Sequence, residues 1–183
     1  SGDELLPDEA IIELGTEMEG HPDNVAAAVL GNATIAWMDN ENKGRALSIP
    51  VNPAIKCVAF IPESHLSTKS ARKLLPESIP YADAVKNSAN TALLTQALQH
   101  RPDLLLNATG DYLHQNYRRE AMPKSLDLVD KLRAAGVPAM VSGAGPSVLV
   151  LHTLSEAEEA EFIKVGGAGF KAHKLGISPR GVE

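Results

Sequence analysis

The sequence predicts an α+β fold, and three observations carry that reading. Segments with helical spacing and segments with strand character follow one another without a regular β-α-β repeat. The strands gather around polar or glycine-rich turns, which suits antiparallel pairing. Hydrophobic residues make up 44% of the 183 residues and aromatics only 4%, enough for a core built mainly from Leu, Val, Ile and Ala. That length allows one domain or two small ones. No internal repeat or low-complexity tract interrupts it.

Residues 8–19 carry Ala10, Ile11, Leu14 and Met18 at helical spacing, with Pro7 and Asp8 ahead as start signals. Gly20 ends that helix. Pro22 fits the first turn of a short second helix, Asp23 to Leu30, because its missing N–H would have no partner there. Gly31 closes it. Ala33–Met38 and Arg45–Ile49 flank the polar run 39–44, which predicts a hairpin. Val51-Asn52-Pro53 reads as a crossover between substructures, and Ile55–Ile61 as a strand stopped by Pro62. Four helical stretches follow: Thr68–Leu75, Ala82–His100, Pro102–Gln115 and Ser125–Ala135. Gly136 caps the last. Ala139–Val141 and Val148–His152 are strands around a glycine turn. Glu156–Val165 is a helix with acidic residues near its start, as the macrodipole favours. Ala168–Ile177 is a final strand.

Composition narrows the function classes. The net charge of −6 argues against a nucleic-acid or anionic-membrane surface, which needs a basic stripe. It leaves room for a local anion site built from two or three arginines. The single cysteine, Cys57, lies in an apolar run and reads as a packed strand thiol. Cysteine-ligated zinc and iron–sulfur centres have no ligands to use. There is no apolar stretch of transmembrane length and no basic-then-apolar start. A cytoplasmic protein is the expectation.

Two motifs stand out. Glu19-Gly20-His21-Pro22-Asp23-Asn24 places carboxylates, an imidazole and an amide around one Gly-Pro turn. A joint between two helices does not need so many hydrogen-bonding side chains. Ser142-Gly143-Ala144-Gly145-Pro146-Ser147 lies far downstream. Gly143 and Gly145 let successive N–H groups point at one spot, an anion-binding nest. The same residues also suit a tight hairpin, and both readings can hold together.

Taken together, the two motifs resemble the homoserine kinases of the galactokinase, homoserine kinase and mevalonate kinase (GHMP) superfamily. The resemblance covers essentially the whole chain. It implies the remainder of a split amino-terminal, ATP-binding kinase domain over residues 1–51. A carboxy-terminal α/β sandwich with an antiparallel sheet, of GHMP-kinase type, would occupy residues 52–183. It also implies ATP-dependent phosphorylation of the L-homoserine hydroxyl, within threonine biosynthesis, with Mg2+.

The same resemblance assigns the site residues. Glu13, eight residues ahead of His21, matches the family's magnesium ligand; one carboxylate plus phosphate oxygens suffices for that ion. Its bland alternative is a solvated helix face. His21 and Asp23 match positions near the amino-acid substrate, an aspartate to hold the ammonium and a histidine to bond the hydroxyl or orient its neighbours. Helix-end roles would also explain both. Asn24 stands where mevalonate kinase and others carry an aspartate base. Asparagine takes no proton near neutral pH, so the implied mechanism is positioning plus electrostatic stabilisation. Arg72 and Arg118 match the arginines that hold the substrate carboxylate, a role that suits the planar guanidinium fork. Here Gln115-Asn116-Tyr117-Arg118 departs from the family's common Glu-Pro-Tyr-Arg, and Arg119 is the fallback if the register slips by one. Gly143 and Gly145 match the family's third motif, with Gly143 near both substrate and nucleotide.

The family's phosphate loop, Pro-x-x-x-Gly-Leu-Gly-Ser-Ser-Ala, has no counterpart in the sequence. The resemblance therefore implies a fragment without the amino-terminal third, inactive alone, whose residues 1–51 leave apolar faces uncovered and prone to self-association. Dimers are common among such enzymes, which makes a homodimer the oligomer to test. Two other readings stand beside this one. The first is a superfamily kinase for an isoprenoid, a sugar or a sugar alcohol. The second is a non-catalytic binding module that keeps the fold.

Overall fold

The computed structural model describes residues 6–63, 71–167 and 169–182. By internal contacts the chain divides into two compact units, Ser1–Val51 with Ile177–Glu183, and Asn52–Gly176.

In the first unit, helix α1 spans Asp8–Glu19 and α2 Asp23–Leu30. Gly20 ends α1 in the left-handed conformation, its N–H donating to Thr16 O at 2.7 Å. α2 forms over the expected residues, with Pro22 at its N-cap. Strands β1 (Ala33–Met38) and β2 (Gly44–Ile49) pair antiparallel. Asp39 shapes their turn, accepting from the N–H groups of Glu41 and Lys43 at 2.9 Å each. The residues that bury α1 are Ile12 and Thr16; Ile11, Leu14 and Met18 stay exposed, Met18 at 87%. The cause lies in β2. A Cβ on Gly44 would come within 2.0 Å of Thr16 Oγ1, so helix and strand approach too closely for a larger residue at either point. The opposite face of the hairpin leaves Ile35, Trp37 and Leu47 exposed. Residues 177–183, read above with the second domain, join the first unit: Asn32 N–H donates to Ser178 O at 2.6 Å and Val182 N–H to Ala28 O at 2.9 Å.

The second unit is built on a four-stranded antiparallel sheet in the order β4-β5-β3-β6. Its strands are β3 (Lys56–Pro62), β4 (Ala139–Val141), β5 (Val148–His152) and β6 (Phe170–Leu175). Its helices are α3 (Tyr81–Gln99), the single turn α4 (Leu105–Ala108), α5 (Pro123–Ala134) and α6 (Glu156–Gly166). Pro123 opens α5, which therefore starts two residues before the expected Ser125. Ser155 and Glu158 form a capping box at the start of α6. Strand alternation turns Val58, Phe60, Val148 and Val150 to one face, where they join Leu126, Val129, Leu132 and Phe162 of α5 and α6 in the main core. Cys57 is buried on the other face, and burial raises its thiol above the usual range, as expected for a packed residue.

The expected helix Pro102–Gln115 does not form as one piece. A 3-10 turn at Pro102–Leu104 leads into α4, which stops before Thr109 and Gly110. A second 3-10 helix, Asn116–Ala121, follows. Asp111 is the physical reason: its carboxylate accepts from the N–H groups of Leu113, His114 and Gln115, replacing the helical carbonyls those donors would need. Of the expected helix Thr68–Leu75, residues 68–70 lie outside the described residues, and a helical turn is present at Ala71 and Arg72.

A charged cluster lies beneath the sheet edge. His152 is fully buried and its Nδ1 accepts from Leu154 N–H at 3.2 Å. Its Nε2 therefore carries the proton, 3.1 Å from Glu159 Oε2 but out of line for a hydrogen bond. Lys174 pairs with the other oxygen of Glu159. Burial, ahead of the opposing pull of Glu159, holds the imidazole below its ordinary pKa. The Lys174 hydrogen bond, ahead of the opposing effect of burial, holds the Glu159 carboxyl low. Below about pH 6.5 the unfolded chain takes up a proton on His152 that the folded chain refuses, so stability is lost there as pH is lowered. The Glu159 contribution is lost at lower pH still, as the carboxylate protonates through its depressed folded value. Thermal melts should therefore give a flat Tm above pH 7 and a falling one below about pH 6.5, with His152 contributing a slope of at most about 1.4 kcal/mol per pH unit. His152→Phe should remove the upper part of that fall, and an unchanged profile would contradict the assignment.

Candidate functional site

Arg118 is the most informative side chain of the second unit. It lies in the 3-10 helix Asn116–Ala121 and is only 6% exposed. The segment before it is anchored twice, by Asp111 on the backbone N–H groups and by Gln115 Oε1, which accepts from Val141 N–H of β4 at 2.5 Å. The guanidinium is held by neutral acceptors. Nε donates to Ala71 O, and Nη1 donates to Gly143 O and to His114 Nδ1, each at 3.3 Å. Among the described residues no carboxylate forms an ion pair with it. Burial lowers its pKa from the usual arginine value, against the pull of Asp111 and with a further push from the positive charge of Arg72. The group stays charged at any ordinary pH. A buried positive charge with only neutral partners is electrostatically incomplete, and a planar carboxylate is the partner its fork fits.

Arg72 is exposed and near enough to act on Arg118 through its charge, so the two expected arginines belong to one positive region of this unit. Arg119 points elsewhere, to Asp130 at 2.9 Å and Asp127 at 3.6 Å. The buried guanidinium is thus that of Arg118, despite Gln115-Asn116 standing where the family has Glu-Pro.

The glycine turn takes its hairpin form. Ser142 N–H donates to Ser147 O at 2.8 Å and Gly145 N–H to Ser142 O at 2.9 Å, around a cis Gly145–Pro146 bond. Gly145 N–H is thereby spent inside the turn. A Cβ on Gly145 would come within 2.5 Å of Met122 Sδ, so this glycine serves packing against α5's start. Gly143 is exposed at φ 56° with open space around it, and its carbonyl is one of the three acceptors that hold Arg118.

In the first unit the polar bend is ordered by its own side chains. Asp23 Oδ1 bonds His21 Nδ1 and also accepts from Asn24 N–H at 2.9 Å. Asp23 thus orients the His21 ring through Nδ1. Asn24 is exposed at the first turn of α2. Glu13 is engaged with Arg45, which also pairs with Glu9 and, at 2.8 Å, with Asp39.

Comparison with known proteins gives the family. Residues 89–163 match the model of the carboxy-terminal region of GHMP kinases. The chain is 49% identical over 182 residues to a homoserine kinase of Streptomyces avermitilis, covering 98% of this chain and 58% of that protein. It is 41% identical over 179 residues to one of Corynebacterium jeikeium, covering 94% and 58%. The chain is a homologue of the homoserine kinases. The fold agrees: the crystal structure of homoserine kinase from Cytophaga hutchinsonii superposes with a TM-score of 0.82 at 22% identity, over 98% of this chain and 61% of that one. A mevalonate pyrophosphate decarboxylase from Streptococcus pyogenes superposes with a TM-score of 0.54, at 16% identity over 97% of this chain and 60% of that one, so the fold alone does not choose a substrate. The chain spans 58% of the length of these Streptomyces avermitilis and Corynebacterium jeikeium homoserine kinases.

For a homoserine kinase homologue the family implies ATP with a metal ion. The described residues hold no protein-only cation cage, which the one-carboxylate expectation for Glu13 does not require. Glu13 is committed to Arg45, and among the described residues no group of three or more His, Cys, Asp or Glu side chains could hold a metal. Among the described residues no helix is long and apolar enough to cross a membrane.

His114 and Asp111 were missed in the sequence. The signal was partial: Asp111, His114 and Arg118 lie at i, i+3 and i+7, a spacing of neighbours on a helix, although His114 precedes the 3-10 helix that holds Arg118 and the spacing says nothing of its acceptor role. The apolar run Leu104–Leu106 concealed it by extending the apparent helix across Gly110.

Proposed function

We propose that this chain serves ATP-dependent phosphorylation of the hydroxyl of L-homoserine, yielding O-phospho-L-homoserine, as the homoserine kinases that it resembles are named for. The observation that supports this most is the buried Arg118 charge, met only by neutral acceptors, with Arg72 nearby. An α-amino acid brings a carboxylate to such a place and a sugar does not; mevalonate brings a carboxylate too, and differs from homoserine in lacking the α-ammonium.

In the reaction the substrate hydroxyl oxygen bonds to the γ-phosphorus as the bond to the bridging oxygen of ADP breaks, and the hydroxyl proton passes to phosphate oxygens or water. The chain's own part is positioning. Arg118 and Arg72 hold the carboxylate. Asn24 takes no proton near neutral pH, so no side-chain base is assigned. The roles implied for His21, Asp23, Gly143 and Gly145, the cytoplasmic location, the place in threonine biosynthesis and a homodimer belong to the same proposal. No step is derived through a metal.

The test is an ADP-release assay on the natural-length gene product, with 31P NMR of the product. Turnover with L-homoserine and none with mevalonate or galactose is expected. Turnover with either of those and none with homoserine would overturn the reading. The 183-residue chain assayed alone should show no turnover, since it carries no phosphate-loop motif; activity there would show that the loop is dispensable.

A further inference from the structure

We infer that His114 is a positioning residue, which fixes Arg118 for the substrate carboxylate by accepting its hydrogen bond at Nδ1 without neutralising its charge. The inference rests on the proposed reading of Arg118 as the carboxylate reader. The geometry carries it. Arginine only donates, so the 3.3 Å contact between Nη1 and His114 Nδ1 requires a lone pair on that nitrogen. The ring proton is then on Nε2, and Nε2 lies 3.4 Å from Asp111 Oδ1. Asp111 is in turn held by the N–H groups of Leu113, His114 and Gln115 at 3.2, 3.0 and 2.7 Å. The chain of contacts runs from backbone to Asp111, to the imidazole, to the guanidinium.

The choice of residue matters. A carboxylate at position 114 would orient Arg118 equally well but would satisfy its charge, leaving nothing for a substrate. An apolar residue would leave Nη1 with one acceptor fewer. A neutral imidazole orients the fork and keeps its charge available. The ring is half-buried beside a cavity of about 160 Å3 whose other lining, from α3, the 108–115 segment and β4, brings one further charged group, Asp111. The charged groups that act on the ring are Asp111 and Arg118, with Arg72 acting on Arg118. Burial lowers the pKa of the imidazole, Asp111 opposes and Arg118 adds to the lowering, so the neutral form prevails near pH 7. Protonation would turn an N–H against an N–H and release Arg118.

The experiment is steady-state kinetics of the natural-length gene product with homoserine and ATP. His114→Leu should raise the KM for homoserine about 10-fold, with kcat and the KM for ATP changed much less, as expected for loss of one hydrogen bond to a charged group. His114→Asn, whose Oδ1 stands near the Nδ1 position, should restore KM to within about threefold of wild type. His114→Asp should be worse than Leu, because it pairs with Arg118. The wild-type KM should rise only at pH values below the ordinary histidine range, and the Asn variant should not follow it. Equal losses in Leu and Asn, or an unchanged KM in Leu, would overturn the inference. Should the wild type not turn over homoserine at all, the functional reading fails, and the tautomer decides the positioning claim. Nitrogen-15 NMR of the 183-residue chain at pH 7.5 should show His114 protonated at Nε2; protonation at Nδ1 would overturn it.

Discussion

Arg118→Lys in the natural-length gene product is expected to lower kcat/KM for L-homoserine by about 10²- to 10³-fold, or roughly 3–4 kcal/mol of lost binding to the transition state. Lysine keeps the charge and loses the fork. It cannot donate to Ala71 O and Gly143 O at once and still offer a carboxylate the further N–H groups that arginine keeps on Nη2. Its ammonium is also more strongly hydrated, so burial at this depth costs more. The KM for ATP should change little. Circular dichroism and a thermal melt separate this loss from misfolding, because the 3-10 helix is also anchored by Asp111 and Gln115. A kcat/KM within threefold of wild type would remove Arg118 from the site.

Phe162→Ala is expected to cost the second unit about 3–5 kcal/mol and to lower Tm by roughly 10–20 °C. Phe162 is buried in the main core, with the Phe60 ring 6.4 Å away and the His152 ring meeting it edge-on at 5.0 Å. Truncation also loosens the wall over His152, the buried imidazole beside Glu159. Phe162→Leu keeps most of the volume and should cost clearly less. A Tm drop under about 3 °C for the alanine variant would mean that this core collapses around the gap far better than rigid packing allows.

Where the fold was legible in the sequence, the signals were local. The hairpin turn at 39–44 is governed by Asp39 and its own neighbours, and its polar composition announced it. The glycine caps and the acidic start of α6 are likewise short-range chemistry. Two of the three failures depended on partners distant in sequence, and the third on a local side-chain competitor. Ile11, Leu14 and Met18 have helical spacing, yet the face that α1 buries is chosen by Gly44, which lies beyond α2 and β1 and admits Thr16. The run 102–115 has enough apolar residues for one helix, but the Asp111 carboxylate competes for its backbone donors. The C-terminal tail read as the end of the second domain because its bonds to Asn32 and Ala28 span almost the whole chain.

The candidate site was legible in the same uneven way. Arg118 followed from a motif despite the altered residues before it. The reason it matters, a buried charge with neutral acceptors, needed coordinates. His114 was overlooked for that reason: nothing in the order of residues says that a histidine will be an acceptor for the arginine four positions on. The glycine turn offered two readings, and its backbone bonds favour the hairpin, with the Gly143 carbonyl turned to use on Arg118.

The most direct measurement compares L-homoserine with 3-amino-1-propanol, the same amino alcohol without its carboxylate, in the wild-type gene product and in Arg118→Lys. If Arg118 reads the carboxylate, the wild type should prefer homoserine by at least about 10³-fold in kcat/KM, and the variant's preference should shrink to within about 10-fold. An equal preference in both proteins would contradict the account, because the carboxylate would then be recognised elsewhere.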